Sequence, residues 1–180
     1  MNKYAHLLIV AAVLPLAGCH KEEAIKTYIA PKDAPPPAVV AAADAPIRWT
    51  TPPGWKALPA GQMLFAAYQV SENPPVKMTV SQVTSMGSGS ATVMANVNRW
   101  RGQLGLPAAS QADIAKDVKP IQLEGREALL IDLAGNGGQR MLASMIPDND
   151  QVWVFKMTGP TETLAAEKDT FEAVVKSAKF

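Results

Sequence analysis

The residues that most often carry chemistry are unevenly distributed along this 180-residue chain. It contains one cysteine, Cys19, and two histidines, His6 and His20, and all three lie near the amino terminus. The rest of the chain therefore has no histidine to serve in a Ser-His-Asp or Cys-His arrangement. It also has no cysteine or histidine from which a zinc site of the usual kind could be built. These classes of catalytic and metal site are excluded there, and the sequence implies no cofactor and no metal.

Carboxylate chemistry stays open, because three acidic residues fall near one predicted hairpin: Glu124, Glu127 and Asp132. A carboxylate-dependent hydrolase of the glycosidase type needs two such groups that face each other across about 5 to 9.5 Å. Nothing in the sequence imposes that separation, and acids are common beside turns. A hydrolase is therefore the last of three functional alternatives, and we expect a protein that is not an enzyme.

One predicted helix carries polar residues suited to recognition, within the stretch NVNRWRGQLGLP (96–107). The guanidinium groups of Arg99 and Arg101 and the amides of Asn96 and Asn98 suit carboxylates, phosphates or peptide backbone. Gly102 costs about 1 kcal/mol in a helix interior relative to Ala, which suggests a close approach by another group. These five residues are the predicted binding surface. The alternatives are a solvated helix face, or arginines that hold carbonyl groups at strand ends.

Two loops raise a further possibility of ligand binding. SMGSGS (85–90) precedes the same helix, where backbone amides can hold an anion, but it lacks the Gly-Lys-Ser/Thr of a nucleotide loop. A mobile connection is therefore favoured there, and a small-ligand or anion binder in the cleft beside residues 86–102 is the second alternative. PDND (147–150) has too few ordered oxygen ligands for a calcium loop and is interpreted as a hairpin turn.

The amino terminus has the pattern of an export signal. Lys3 precedes the short apolar run LLIVAAVLPLA (7–17), which is too short for a typical spanning helix. LAGC (16–19) resembles the lipobox of bacterial lipoproteins, which implies that residues 1–18 are a signal peptide and that Cys19 receives the lipid. Two or more acyl chains there, palmitate for example, would give stable membrane attachment. Because His20 rather than Asp follows the cysteine, the resemblance slightly favours the outer membrane, with the domain facing the periplasm.

Residues 19–45 follow as a lipidated cysteine and an Ala/Pro-rich tether. This tether has few large apolar side chains, so we expect a disordered spacer. Ile25, Tyr28 and Ile29 leave open that residues 25–32 dock as an extended strand on the domain or on a partner. The chain has 17 basic and 16 acidic residues, and loss of Lys3 with the signal leaves them equal. A neutral protein gives no indication of a nucleic-acid partner.

From about Pro46 the pattern predicts one globular domain that extends to residue 180. IRWTTPPGWKAL (47–58) reads as a strand, a turn and a short return, and residues 63–70 and 76–85 read as further strands. A helix follows, with Ser90 as its N-cap, Gly105 after its end, and an apolar stripe at helical spacing. That stripe consists of Val93, Val97, Trp100 and Leu104. Residues 110–117 form a short second helix capped by Ser110.

The remainder predicts a meander and a final helix. Three strands are expected around turns at Glu124-Gly125, 135–138 and 147–150. Their residues are apolar on both faces, so both faces must be covered. A helix that begins after Thr161 as its cap and runs to about Ser177 supplies part of that cover. The predicted fold class is α+β, with an antiparallel β-sheet flanked by helices on both faces in an α/β/α sandwich.

This order of elements resembles a known fold. PPGW (52–55), a middle helix, a meander and WVFKMTGP (153–160) before a final helix are similar to the PsbP-like fold, which includes a photosystem II extrinsic subunit and the Ran-binding Mog family. NVNRWRGQLGL with FKMTGP also resembles uncharacterised bacterial lipoproteins of planctomycete type. PsbP-like domains act mostly as binding and assembly modules. We therefore expect a membrane-anchored, cell-envelope lipoprotein that binds an envelope protein and does not catalyse a reaction.

Overall fold

The computed structural model describes residues 46–86, 89–123 and 125–180. The predicted signal peptide, the tether with Cys19, and Glu124 lie outside the described residues. Within the described ranges, no helix combines the length and the apolar character needed to cross a membrane.

Seven strands form one antiparallel sheet in the order β1-β2-β3-β7-β6-β5-β4. Four helices and one 3-10 turn complete the domain. In chain order the elements are β1 (Lys56–Leu58), β2 (Leu64–Glu72), β3 (Pro75–Thr84), α1 (Gly89–Gln103), α2 (Gln111–Asp117), β4 (Val118–Leu123), β5 (Arg126–Ala134), the 3-10 turn (Asn136–Gly138), β6 (Gln139–Asp148), β7 (Gln151–Pro160), α3 (Thr161–Ala166) and α4 (Lys168–Lys176).

The sheet is built from two sequence-local pieces that meet at β7. β1, β2 and β3 pair in chain order, and β4 to β7 form a meander. β3 and β7 join the pieces with a register that runs from Lys77 opposite Thr158 to Thr84 opposite Gln151. The meander has four strands rather than the predicted three. The additional strand is β4, which contains Pro120 and lies at the sheet edge, where a proline is tolerated.

Alternating residues of the central strands face opposite sides, and each side has its own apolar core. On one side, Trp153, Phe155 and Met157 of β7 pack with Leu164 of α3 and Phe171 of α4. On the other side, Val152 and Val154 of β7 pack with residues of α1 and α2, together with Met141, Ala143 and Met145 of β6. The predicted α+β class, an antiparallel sheet with helices on both faces, is confirmed.

Several element ends differ from the predictions. α1 begins at Gly89, so Ser90 lies inside its first turn and is not the N-cap. Thr161 is likewise the first helical residue, because Pro160 already occupies the cap position with its extended backbone. The final helix is two helices that meet at Glu167. The shifts in the starts of α1 and α3 are small, and they fall where a sequence pattern is least certain, at the first residue of a helix.

Other details agree with the sequence. Gly105 follows α1 with a φ of 70°, the left-handed conformation expected after a helix. The Ser110 hydroxyl accepts a hydrogen bond from the Asp113 amide at 3.3 Å, which caps α2. The segment around Trp49 forms no strand of the sheet. Arg48 instead makes an isolated bridge with Lys179 after α4, and Trp49 packs edge-on against Phe155.

Candidate functional site

The helix α1 lies on the sheet through its apolar stripe. Val97 and Trp100 are almost fully buried, and Leu104 joins them in the core shared with β5, β6 and β7. The helix end is fixed by the 3-10 turn, since the Asn136 amide donates to the Leu104 carbonyl at 3.0 Å. Trp100 therefore has a structural role, and the polar residues of α1 lie on the two flanks of this stripe.

One flank faces α2 and its preceding loop. Asn98 exchanges two hydrogen bonds with the backbone of Ala109, at 3.1 and 2.7 Å. Arg101 donates to the carbonyl of Pro107 and to the carboxylate of Asp117, both at 3.0 Å. Asn98 and Arg101 are therefore engaged within the domain, although Arg101 holds a loop carbonyl and a carboxylate of α2 rather than carbonyls at strand ends. They hold residues 107–117 against α1.

The other flank carries Asn96 and Arg99. Asn96 is only 7% exposed, and its amide nitrogen donates to the Thr92 carbonyl one turn earlier at 2.9 Å. Its amide oxygen accepts from Arg99 at 2.8 Å. Asn96 thus has its hydrogen bonds inside the helix, and it fixes the direction of an arginine whose side chain is exposed.

Gly102 lies at an open position of α1. A Cβ at this position would meet nothing within 4 Å, so no group of the described chain approaches it closely. The close approach in this region occurs instead at Gly135. A Cβ there would lie 2.6 Å from the Cβ of Leu104 and 2.9 Å from its carbonyl oxygen. Within the described chain the glycine required by a close approach to α1 is therefore Gly135 in the facing turn, and an approach of a partner to Gly102 stays a prediction.

Lys156 of β7 was not recognised from the sequence. Its register partner on β3 is Thr79 and on β6 is Ala143, and the alternation with Val154 places it on the α1 side of the sheet. Partial burial lowers the pKa of its ammonium group, and the charge of Arg99 lowers it further. Arg99 and Lys156 thus lie on the same side of the sheet, where their like charges disfavour each other. The sequence feature that could have indicated Lys156 is the presence of a lysine inside the otherwise apolar stretch WVFKM.

The sheet beyond Lys156 presents a polar surface on the same side. The strand members of the second core come from the meander, with Val83 of β3 at the border. Most side chains that continue across the sheet are polar and partly or fully exposed, namely Ser81, Thr79 and Lys77 of β3, Thr158 of β7 and Gln69 of β2. The exception is Ala67 of β2, which lies opposite Thr79 and is buried. We call this surface, bounded by Arg99 and Lys156, the open face.

The predicted carboxylate pair does not form from its described members. Glu127 and Asp132 lie five residues apart on β5, so they point to opposite faces of the sheet. Asp132 accepts hydrogen bonds from Arg140 and Lys168, each at 2.7 Å. Burial alone would raise the pKa of Asp132, but these two cations outweigh it and hold the pKa below its usual value. Asp132 therefore joins β5, β6 and α4 as a charged structural link.

Glu127 lies instead at an apolar groove beside the first half of α1. The groove has a volume of about 400 Å³, and its walls come from α1, α2, β4 and β5. Val93, Met94, Ile114 and Leu129 supply most of its apolar lining. It corresponds to the cleft beside residues 86–102 that the sequence suggested for a small ligand.

No cluster of three or more metal-binding side chains occurs in the described ranges of the chain. The 147–150 segment is the turn between β6 and β7, as predicted, with Asn149 in the left-handed conformation. The carboxylate of Asp148 accepts hydrogen bonds from Arg126 and from the Trp153 indole, at 3.2 and 3.3 Å. This turn is held by side chains of β5 and β7 that donate to Asp148.

The overall architecture can be compared with solved structures. The chain is similar to the cyanobacterial PsbP protein CyanoP of Synechocystis sp. PCC 6803, with a TM-score of 0.50 and 12% identity over 74% of this chain and 85% of that one. The fold is PsbP-like. No family model and no curated protein matches the chain.

Two further structures have lower scores. LpqN, involved in cell envelope biogenesis of Mycobacterium tuberculosis, has a TM-score of 0.45 and 15% identity over 74% of this chain and 82% of that one. The Ran-binding protein Mog1p of Saccharomyces cerevisiae has a TM-score of 0.45 and 11% identity over 74% and 89%. Likeness at such identities concerns the fold, and function must be argued from the site of this PsbP-like domain.

Proposed function

We propose that this chain is a lipid-anchored protein of the cell envelope whose PsbP-like domain is a non-catalytic binding or assembly module. The lipobox-like sequence at 16–19 supports the anchor, with a periplasm-facing domain and a slight preference for the outer membrane. A partner protein of the envelope binds the open face. The tether keeps the domain at a distance from the bilayer, where this face can reach its partner.

The open face is the observation that carries the proposal. Antiparallel sheets can leave part of a face in solvent, and that part is then available to a partner. Here the residues of β3 on the α1 side change from the apolar Val83, at the border of the second core, to Ser81, Thr79 and Lys77. Arg99 of α1 and Lys156 of β7 lie at that border. Charged and polar side chains on a rigid sheet can recognise a partner without movement of the scaffold.

Site-specific crosslinking in intact cells tests this function. A photo-crosslinking residue in place of Ser81 on the open face should capture one discrete envelope protein. The same residue in place of Glu162, an exposed position of α3 on the opposite side of the sheet, serves as the matched control. Equal capture from both positions, or none from Ser81, would show that the open face is not the binding surface.

The apolar groove supports a second candidate, a protein that binds a small apolar ligand. Its volume lies within the range of about 300 to 1,000 Å³ that is usual for ligand sites, and its lining is mainly aliphatic. Ala115 lies in its wall and is exposed. Ala115→Trp should fill the groove and abolish any increase in melting temperature that a library of apolar compounds produces. If no compound stabilises the unsubstituted chain, this candidate is wrong.

A further inference from the structure

Lys156 occupies an unusual place for a charged residue. It lies on β7, which has neighbouring strands on both sides in the sheet. The second core lies on one side of it, and the polar residues of β3 lie on the other. None of the ion pairs that the described residues form within 4.0 Å includes Lys156. Charges that are partly removed from water are normally paired, because loss of hydration costs free energy.

The positive charge of Arg99 makes the ammonium group of Lys156 less favourable in the unbound protein. Arg99 has the same sign, and α1 contains no acidic residue that could compensate it. The hydrogen bond from Arg99 goes to the neutral amide of Asn96. Arg99 and Lys156 therefore lie on the same side of the sheet with no acidic residue of α1 to compensate them, and Asn96 orients the arginine.

The surrounding charges do not cancel this local excess. Lys77 lies two residues from Thr79 on β3, so it is a diagonal neighbour of Lys156 on the same face, at roughly 7–8 Å. The acid of this region is Glu72, and its carboxylate is bound to Lys56 at 2.6 Å. A chain whose formal net charge is only +1 thus carries three positive charges on the open face.

We propose that Arg99 and Lys156 form a binding site for a carboxylate group on an acidic, extended segment of the partner, with Lys77 at the rim and Asn96 positioning Arg99. This proposal rests on the proposed function, and it names the chemistry by which the open face recognises its partner. A bound carboxylate would restore the missing counter-charge of both cations.

The structure favours a carboxylate over a phosphate. The planar fork of Arg99 and the point charge of Lys156 suit a carboxylate and a phosphate alike, so the choice depends on the surroundings. Phosphate sites commonly use backbone amides at a loop or a helix start, whereas the donors here are side chains on a sheet and on the middle of a helix. The rows of polar residues along β3 also suit an extended segment rather than a compact ion.

The probe for this site is a tetraglutamate peptide added to the full chain in detergent. NMR signals of the Arg99 and Lys156 side chains should shift as the peptide is added, and the affinity should fall with rising salt. Arg99→Gln and Lys156→Met should each weaken binding at least about tenfold, because each removes a direct charge-assisted contact. Lys77→Gln should weaken it about two- to threefold. Lys119→Gln, which changes an exposed lysine paired with Glu172, is the matched control and should leave affinity unchanged.

Stability gives a second measurement that separates binding from a structural role. Lys156→Met keeps the length of the side chain and removes an unpaired, partly buried charge, so the melting temperature should rise while peptide binding is lost. A lower melting temperature together with unchanged peptide affinity would show that Lys156 is structural, and would overturn the proposal. Inorganic phosphate that shifts the same two side chains more strongly than the peptide would overturn the assignment to a carboxylate.

The two proposals fail in different ways. If Ser81 crosslinks a partner but Arg99→Gln and Lys156→Met leave the yield unchanged, the binding module stands and the carboxylate site is wrong. If tetraglutamate binds and both substitutions weaken it, but no envelope protein is captured, the site stands and the proposed function is wrong. Absence of any shift at Arg99 and Lys156 with peptide and phosphate contradicts the site directly.

Discussion

Four polar residues within six positions of α1 have two different roles. Asn98 and Arg101 bind the loop and helix on one side, while Asn96 and Arg99 lie beside the open face on the other. Helical spacing separates the two pairs in the sequence alone. It does not tell which pair faces α2, because that depends on where β3 lies in the sheet. For the same reason Lys156 could not be connected with Arg99 before the strand order was known.

The two arginines should respond differently to substitution. Arg101→Gln removes a largely buried contact to Asp117 and should lower the free energy of unfolding by about 1–2 kcal/mol. Arg99→Gln changes an exposed side chain and should alter it by less than about 0.5 kcal/mol. Urea denaturation of both variants measures this difference. Equal losses would mean that Arg99 also has a structural role.

Gly102→Ala should stabilise the protein. The position is helical and exposed, and the added methyl group meets nothing within 4 Å. Replacement of glycine by alanine in a helix then gains about 0.5–1 kcal/mol, somewhat less near the helix end. A higher urea midpoint is the expected result. A loss of stability would restore the idea that something approaches Gly102 closely.

At the scale of elements, the pairing of helices with the sheet depends on contacts that the sequence indicates poorly. The apolar stripe of α1 and the meander strands were predictable, because periods of 3.6 and 2 are directly visible in the sequence. The turn after β5 was predicted only as a turn. Its contact with the end of α1, through Gly135 and Leu104, joins residues 31 positions apart and has no local signature.

Gly135→Ala should therefore destabilise the domain. A Cβ at 2.6 Å from that of Leu104 forces the 3-10 turn and the end of α1 apart, at a cost of about 1–3 kcal/mol. Gly61→Ala is the matched control, because nothing lies within 4 Å of its added methyl group. Thermal unfolding of both variants checks the prediction, and similar melting temperatures would contradict the contact.

The ion pairs of Asp132 predict a pH dependence for the packing of α4. The folded-state pKa of Asp132 lies below the ordinary 3.8, so its contribution is present above that value and is lost as pH falls below it. Urea unfolding between about pH 5 and pH 2 should show a falling free energy that Asp132→Asn makes shallower. Asp113→Asn, at an exposed pair on α2, should change the slope less. An unchanged slope in Asp132→Asn would exclude this role.

At the scale of the whole molecule, the class of fold followed from composition and pattern. Strands that were apolar on both faces required helices on both faces, and the two separate cores meet that requirement. The edge strand β4 was undercounted because VKPIQL has a proline and no clear alternation. The open face could not be predicted, because the part of the sheet that the helices leave uncovered depends on the positions of all of them together.

The anchor can be tested independently of the fold. Cys19→Ser should eliminate incorporation of labelled fatty acid and move the protein from the membrane fraction to the soluble fraction. The melting temperature of the PsbP-like domain should stay within about 1 °C, because surface changes outside a domain alter stability little. Persistent membrane attachment in Cys19→Ser would show that another feature holds the chain there.

The position of β7 has a consequence for how the chain reaches its fold. β7 is the strand through which the β1–β3 piece joins the meander, and its pairing with β3 connects residues that are 67 (Thr84 and Gln151) to 81 (Lys77 and Thr158) positions apart. Contacts of such long range form slowly, because the intervening chain must first be ordered. A chain that has emerged only as far as β6 therefore has two incomplete sheets with exposed apolar faces. We therefore expect the pairing of β7 with β3, which joins the two pieces into one sheet, to be a late and slow step of folding, with aggregation most favoured before it.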